Sequence, residues 1–215
     1  MSFCVLGTGS YVPPKVVTND DLASFLVTSD EWIRERTGIR ERHVCVEESA
    51  CDLAYQAALA ALDQSGVKAE ELDMILCATI SSDFATPSMS CVIQKRLGAS
   101  CPAMDINAAC SGFLFLLDTA AGFFARGRVE KMLVIGAERI SRLLDWDDRS
   151  TCVIFGDGAG AMVLGRGENY LASQLSSKGD DETIRTPVFE GKSPFNKRKQ
   201  ETPYIHMKGQ ETFRF

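Results

Sequence analysis

Apolar runs too short to be helices alternate with longer helical patterns through residues 1–165. Residues 3–6, 73–80, 103–106 and 131–136 read as buried strands. The first of them ends at Gly7-Thr8-Gly9. Strand signals return at residues 152–155 and 161–164, around a glycine-rich turn at 156–160. Between these runs, Ala50–Ser65 has the helical pattern: Asp52, Gln56 and Asp63 keep to one narrow stripe, and leucines and alanines fill the rest. A helix so rich in alanine packs closely inside a protein. Pro87 opens a further helix that carries Met89, Val92, Ile93 and Leu97 on one face and stops at Gly98. Another apolar helix covers residues 111–125. Strands alternating with helices in this way predict an α/β layered fold with a mostly parallel central sheet and buried helices.

Two shorter helices are expected nearer the N-terminus. Asn19 is placed to cap one over residues 20–26. Thr28-Ser29-Asp30-Glu31 has the spacing of a capping box, with Val27 and Trp32 positioned as a hydrophobic staple, and Gly38 ends that helix. Beyond Gly165 the pattern weakens. Residues 176–202 are polar, include Lys197-Arg198-Lys199, and read as a surface excursion. The chain divides on this basis into residues 1–165 and a connecting portion, 166–215. Its last residues read as the start of a helix, which suggests a truncated chain or a missing partner segment.

Composition excludes several classes. Against 29 acidic residues stand 23 basic ones, a net charge of −6, so a dedicated nucleic-acid binder is not expected. No apolar run reaches membrane-spanning length and the N-terminus lacks the form of a signal peptide, which predicts a cytoplasmic protein without a membrane segment. Of the eight cysteines no two have CxxC spacing, and there are two histidines, His43 and His206, so no metal site is expected. Cys4, Cys77, Cys91 and Cys101 sit in apolar runs, where a free thiol behaves as a small hydrophobe rather than as part of a disulfide framework.

Cys110 has a different setting. Met104-Asp105-Ile106-Asn107-Ala108-Ala109-Cys110-Ser111-Gly112-Phe113 runs from strand through small residues into a helix, which brings Cys110 to a helix N-terminus. Unpaired amides and the helix dipole there favour a thiolate. On spacing alone, a structural cysteine and a nucleophile both fit. Trp32 and Arg36, four apart on a helix, share a face. They are either a staple tryptophan beside a solvated arginine, or a clamp for an aromatic ligand bearing phosphates. Asp145-Trp146-Asp147-Asp148 reads as a solvated turn. Gly156-Asp157-Gly158-Ala159-Gly160-Ala161 imitates a dinucleotide fingerprint, but a strand-like segment follows it where that motif needs a helix.

These residues also resemble a family. Gly7 through Pro14, residues 28–42, Ala108 through Phe113, and residues 148–161 look, in that order, like β-ketoacyl-acyl carrier protein synthase III. The resemblance implies a thiolase-like fold, of which the chain holds the first half and the start of the second. It implies an acyltransferase of fatty-acid biosynthesis in which Cys110 takes an acyl group from an acyl-coenzyme A primer and condenses it with malonyl-acyl carrier protein. Trp32 and Arg149 would then sandwich the adenine and Arg36 would reach the phosphates. Thr28 joins the coenzyme-binding set, and residues 207–213, with Met207, Gly209 and Phe213, match the segment lining the pantetheine tunnel. No permanently bound cofactor is implied; coenzyme A enters as substrate. A homodimer is expected, joined through the strand that precedes Cys110. The family also uses a histidine and an asparagine from the second half of the fold, for which His206 is not a candidate. Thr86 stands where some members carry a phenylalanine before Pro87. A related thiolase-fold acyltransferase of secondary metabolism, and an inactive half-domain needing a second polypeptide, are the alternatives.

Overall fold

The computed structural model describes the chain except Met1, Glu190, Lys192, Asn196, Arg198 and Phe215, and describes the backbone alone for Phe213 and Arg214. In chain order the elements are β1 (Ser2–Tyr11), β2 (Val16–Thr18), α1 (Asn19–Ala23), α2 (Asp30–Thr37), β3 (Glu41–His43) and α3 (Ala50–Ser65). Then come β4 (Met74–Ala78), α4 (Met89–Leu97), β5 (Ala103–Ile106), α5 (Gly112–Ala125) and β6 (Lys131–Arg139). The last are α6 (Arg149–Cys152), β7 (Asp157–Gly167), β8 (Ile184–Arg185), β9 (His206–Met207) and α7 (Gly209–Arg214). They form two compact units that interleave along the chain. One is built from Met1–Lys15, His43–Arg139 and Asp157–Ser176, the other from Val16–Arg42, Ile140–Gly156 and Ser177–Phe215.

The first unit is a five-stranded sheet in the order β1-β7-β6-β4-β5. β4 pairs in parallel with both β5 and β6, while β7 pairs antiparallel with both β6 and β1. Four strands therefore run one way and β7 alone runs the other, so the sheet is mixed although most strands are codirectional. Every residue of β4 is buried. Ile75 and Cys77 face a core with α3 and α4, and Met74, Leu76 and Ala78 face a core with α5. An unbroken apolar strand is what a sheet covered on both faces requires.

Several strand expectations change. β1 runs on to Tyr11 instead of ending at Leu6, because its glycines lie directly on α3. An added Cβ at Gly9 would collide with the Ala57 carbonyl oxygen, and one at Gly7 would sit 2.6 Å from the Ser65 nitrogen. The alanine face of α3 and the bare backbone of β1 together permit that contact. The glycines at 158 and 160 likewise lie inside β7, not in a turn, and Asp157 accepts a 2.7 Å hydrogen bond from the Cys45 amide. No helix follows them, so the dinucleotide resemblance ends there.

In the second unit the cap of α1 is Thr18, not Asn19. Its hydroxyl accepts from the Asp21 amide at 3.1 Å while the Asp21 carboxylate accepts from the Thr18 amide at 2.8 Å. Asn19 is instead buried, donating to Asp30 and the Ile39 carbonyl and accepting from Arg42, each at 2.8 Å. Ser29, one residue later than expected, caps α2 by accepting from the Trp32 amide. Val27 is 88% exposed, so no staple forms. Gly38 does end the helix, at φ 73°. Residues 152–155 are not a strand: Asp148 accepts from the Ser150 amide and starts the single turn of α6. Cys152 and Val153 are apolar because they join Leu22, Ile33, Ile140 and Leu144 in this unit's core. The polar excursion contributes β8, paired with β9. Of its basic cluster, Arg198 lies outside the described residues. Among the described residues no helix is long and apolar enough to cross a membrane.

The contact between β1 and α3 gives a direct test. Gly9→Ala should lower unfolding stability in urea by about 1–3 kcal/mol through overpacking. Gly179→Ala, where an added Cβ meets nothing within 4 Å, should stay within about 0.5 kcal/mol of the unaltered protein. Equal stability of the two variants would contradict the packing described.

Candidate active site

Ile106 ends the β5 ladder, and the chain turns through Asn107 and Ala108 into a 3-10 turn over Ala109–Ser111 before α5 begins. Ala109 has φ 46°, the one non-glycine residue at positive φ among the described residues. Side chains rarely sit there, and such strain gathers at functional sites. The Asn107 side chain accepts from the Ala109 amide at 3.3 Å, and the Ser111 amide donates to the Ala108 carbonyl at 3.2 Å. This sharp elbow turns Cys110 outward. It is exposed, whereas Cys4 and Cys91 are half-buried and Cys45, Cys51, Cys77, Cys101 and Cys152 are buried.

The elbow is fixed from below by small residues. A Cβ on Gly112 would lie 2.8 Å from that of Ala78 at the end of β4, and one on Gly136 would lie 3.1 Å from the Phe113 ring. Helix α5 thus starts over the C-terminal ends of β4 and β6, the edge at which α/β sheets place ligands. Beside it, the Glu138 carboxylate accepts from the Ile80 amide at 2.9 Å and from the hydroxyls of Thr79 and Ser81. Burial pushes the Glu138 carboxyl above the usual range. Burial also pushes the thiols of Cys45 and Cys51 up to about 12 and that of Cys152 to about 11, and raises Cys77 and Cys101. Those five remain protonated at neutral pH, and a protonated thiol is a poor nucleophile.

In the second unit the structure brings Trp32, Arg36 and Arg149 together. The guanidinium carbons of Arg36 and Arg149 lie 4.4 and 4.7 Å from the Trp32 ring centroid. Arg149 is held by a 2.6 Å hydrogen bond to the Val27 carbonyl, and Arg36 donates to the Trp32 carbonyl at 3.3 Å. Each contact is within cation–π range. The neighbouring Thr28 hydroxyl is buried with no hydrogen-bond partner. Met207 is half-buried and packs on the same apolar core as Trp32, and Gly209 opens α7 on the surface. The Phe213 side chain lies outside the described residues. The acidic loop is more than a solvated turn, since the Trp146 indole donates to the Ser141 carbonyl at 3.2 Å and packs on this core. A separate cavity of about 460 Å³ is lined by Asp30, Glu31, Arg34, Glu35, Gly38 and Arg40, and none of the candidate site residues lines it. His43 Nδ1 lies 2.6 Å from the Pro13 carbonyl oxygen, and His206 is an exposed residue of β9.

A family model for 3-oxoacyl-(acyl-carrier-protein) synthase III matches residues 104–179, the stretch that contains this elbow. The β-ketoacyl-acyl carrier protein synthase III of Clostridium acetobutylicum is 44% identical over 98% of this chain and 66% of its own length. That of Xylella fastidiosa is 47% identical with the same coverage. The chain belongs to the β-ketoacyl-acyl carrier protein synthase III family. Among solved structures, the synthase III of Aquifex aeolicus superposes with a TM-score of 0.89 at 43% identity, covering 99% of this chain and 66% of that one. The priming β-ketosynthase of the R1128 polyketide pathway superposes at 0.84 with 31% identity over 99% of this chain and 65% of that one. The chain thus spans 66% of the length of the curated synthases III it matches, and its fold is that of the synthase III family.

Elbow strain at Ala109 is open to measurement. Ala109→Val places a β-branched side chain at φ 46° and should lower stability by about 1–2 kcal/mol, with slower alkylation of Cys110. Ala109→Gly should be as stable as the unaltered protein or more so. Urea unfolding and thiol titration would show both effects.

Proposed function

We propose that this protein moves an acyl group from acyl-coenzyme A to Cys110 and condenses it with malonyl-acyl carrier protein. The product is a β-ketoacyl-carrier protein, the opening step of type II fatty-acid synthesis. The observation that carries this reading is the exposed thiol of Cys110 on a strained elbow at the start of α5. Its thiolate attacks the thioester carbonyl carbon, the bond from that carbon to sulfur breaks, and coenzyme A departs as the thiol. The malonyl group then loses carbon dioxide. The carbanion so formed attacks the acyl-cysteine carbonyl, a carbon–carbon bond closes, and Cys110 is released.

The primer's nucleotide end is assigned to Trp32, Arg36 and Arg149. An indole stacks on adenine, and guanidinium groups pair with phosphate through charge-assisted hydrogen bonds. The guanidinium contacts already made around Trp32 support this assignment. Thr28 offers a buried, unpartnered hydroxyl beside them, and Met207, Gly209 and Phe213 are assigned to the pantetheine arm. The working form is a homodimer. β5 lies at the end of the sheet order, and continuing the sheet into a second copy would protect that edge.

Mass spectrometry after incubation with acetyl-coenzyme A tests the reading. The unaltered protein should gain one acetyl group on Cys110, and Cys110→Ala should gain none while keeping its fold. Trp32→Ala and Arg149→Ala should each raise the KM for the acyl-coenzyme A about tenfold, the scale of one lost stacking or charge-assisted contact. The KM for malonyl-carrier should move much less. Acetylation of Cys110→Ala would remove Cys110 from the reaction, and unchanged kinetics in both other variants would remove Trp32 and Arg149 from the coenzyme site.

A further inference from the structure

We infer that Asp105 is the positioning residue that aims Cys110, by clamping the end of the strand that carries it to the first turn of α4. This rests on the reading of Cys110 as the nucleophile. β5 is an edge strand: its ladder is to β4, and its other side carries no ladder among the described residues. Within one copy this segment is therefore held by a single neighbouring strand, and the homodimer proposed above would add a second only along its outer edge.

Helix α4 adds three side-chain tethers between Cys101 and Asp105, in and just before β5. The Gln94 amide donates to the Cys101 carbonyl at 2.7 Å, and the Cys91 thiol lies 3.8 Å from the Ala103 carbonyl oxygen. The third tether is of another kind. Both carboxylate oxygens of Asp105 are used, accepting from the Met89 amide at 2.7 Å and the Ser90 amide at 2.8 Å. A carboxylate against the free amides of a helix N-terminus is charge-assisted and aligned with the helix dipole. It is the strongest of the three, and the nearest to the elbow.

Strand alternation gives the clamp its leverage. Ala103 borders the core shared with α4, while Ile106 borders the core shared with α5. Asp105 therefore anchors one face of the strand's end just as Ile106 anchors the other. Asn107, Ala108 and the strained Ala109 are all that separate this anchored end from Cys110. If the strand's end tilts, the elbow tilts with it. The expectation is a loss of acyl-transfer rate with no loss of coenzyme binding, because the residues assigned to coenzyme A lie on other segments.

The test compares Asp105→Asn, Asp105→Glu and Gln94→Ala with the unaltered protein, measuring Cys110 acetylation from acetyl-coenzyme A and urea unfolding for each. Asp105→Asn keeps one acceptor oxygen and should acetylate about tenfold more slowly at saturating acetyl-coenzyme A, with KM within about twofold. Asp105→Glu keeps the charge one methylene away and should fall between. It decides the matter if the asparagine variant does not fold. Gln94→Ala cuts the tether to Cys101, just before β5 begins, and should acetylate within about twofold of the unaltered rate even if it is less stable. Unaltered rates in the Asp105 variants, or an equal slowing in Gln94→Ala, would overturn the inference. Failure of the unaltered protein to acetylate Cys110 would overturn the nucleophile reading and this inference with it.

Discussion

All the residues of β4, Met74 through Ala78, are buried, alternately under α3 with α4 and under α5. A strand with no face available to water belongs in the middle of a helix–sheet–helix sandwich. Its parallel neighbours β5 and β6 follow from that, and so does the gathering of their C-terminal ends at one edge. Cys110, Phe113 over Gly136, and the Glu138 cluster all stand at this edge. The chemistry proposed for the protein is thus located by the burial of one apolar strand.

Much of this frame was legible in the residues. Ala50–Ser65 and Ala103–Ile106 have the limits read from the pattern, because local signals mark both. Ser49 and Asp52 form a reciprocal cap on the helix, and Gly66 ends it at φ 67°. The failures have a common cause. Glycines 7, 9, 158 and 160, read as ending strands or forming turns, lie inside strands, and at Gly7 and Gly9 another backbone comes too close for a side chain. Periodicity describes a segment's own faces, and carries no information about the distance to the segment packed on it. Residues 152–155 failed for a related reason: a run of apolar residues marks burial, and a single helical turn can be buried as well as a strand.

The candidate site divides in the same way. Cys110 could be ranked above the other cysteines because a strand–turn–helix order is local, and Trp32 could be paired with Arg36 because four residues make one helical turn. Arg149 reaches Trp32 from a distant segment of its own unit, so family resemblance and not spacing singled it out. Asp105 and Glu138 left no mark in the pattern, since their partners are backbone amides and hydroxyls that only the folded chain brings near. An acidic residue at a strand's end is ordinary until the donors that reach it are accounted for.

Burial also sorts the cysteines chemically. Five thiols are held protonated at neutral pH by desolvation, Cys45 and Cys51 at about 12 among them, while Cys110 faces solvent. Of the other three, Cys4 and Cys91 are half-buried, so a reagent or substrate in solution meets Cys110 most freely. The most direct measurement is a peptide map of all eight cysteines after brief exposure to iodoacetamide at neutral pH, with and without acyl-coenzyme A. Cys110 should be alkylated first, and prior acyl-coenzyme A should protect it while leaving the others unchanged. Labelling of a buried cysteine as fast as Cys110, or no protection of Cys110 by acyl-coenzyme A, would contradict Cys110 as the nucleophile.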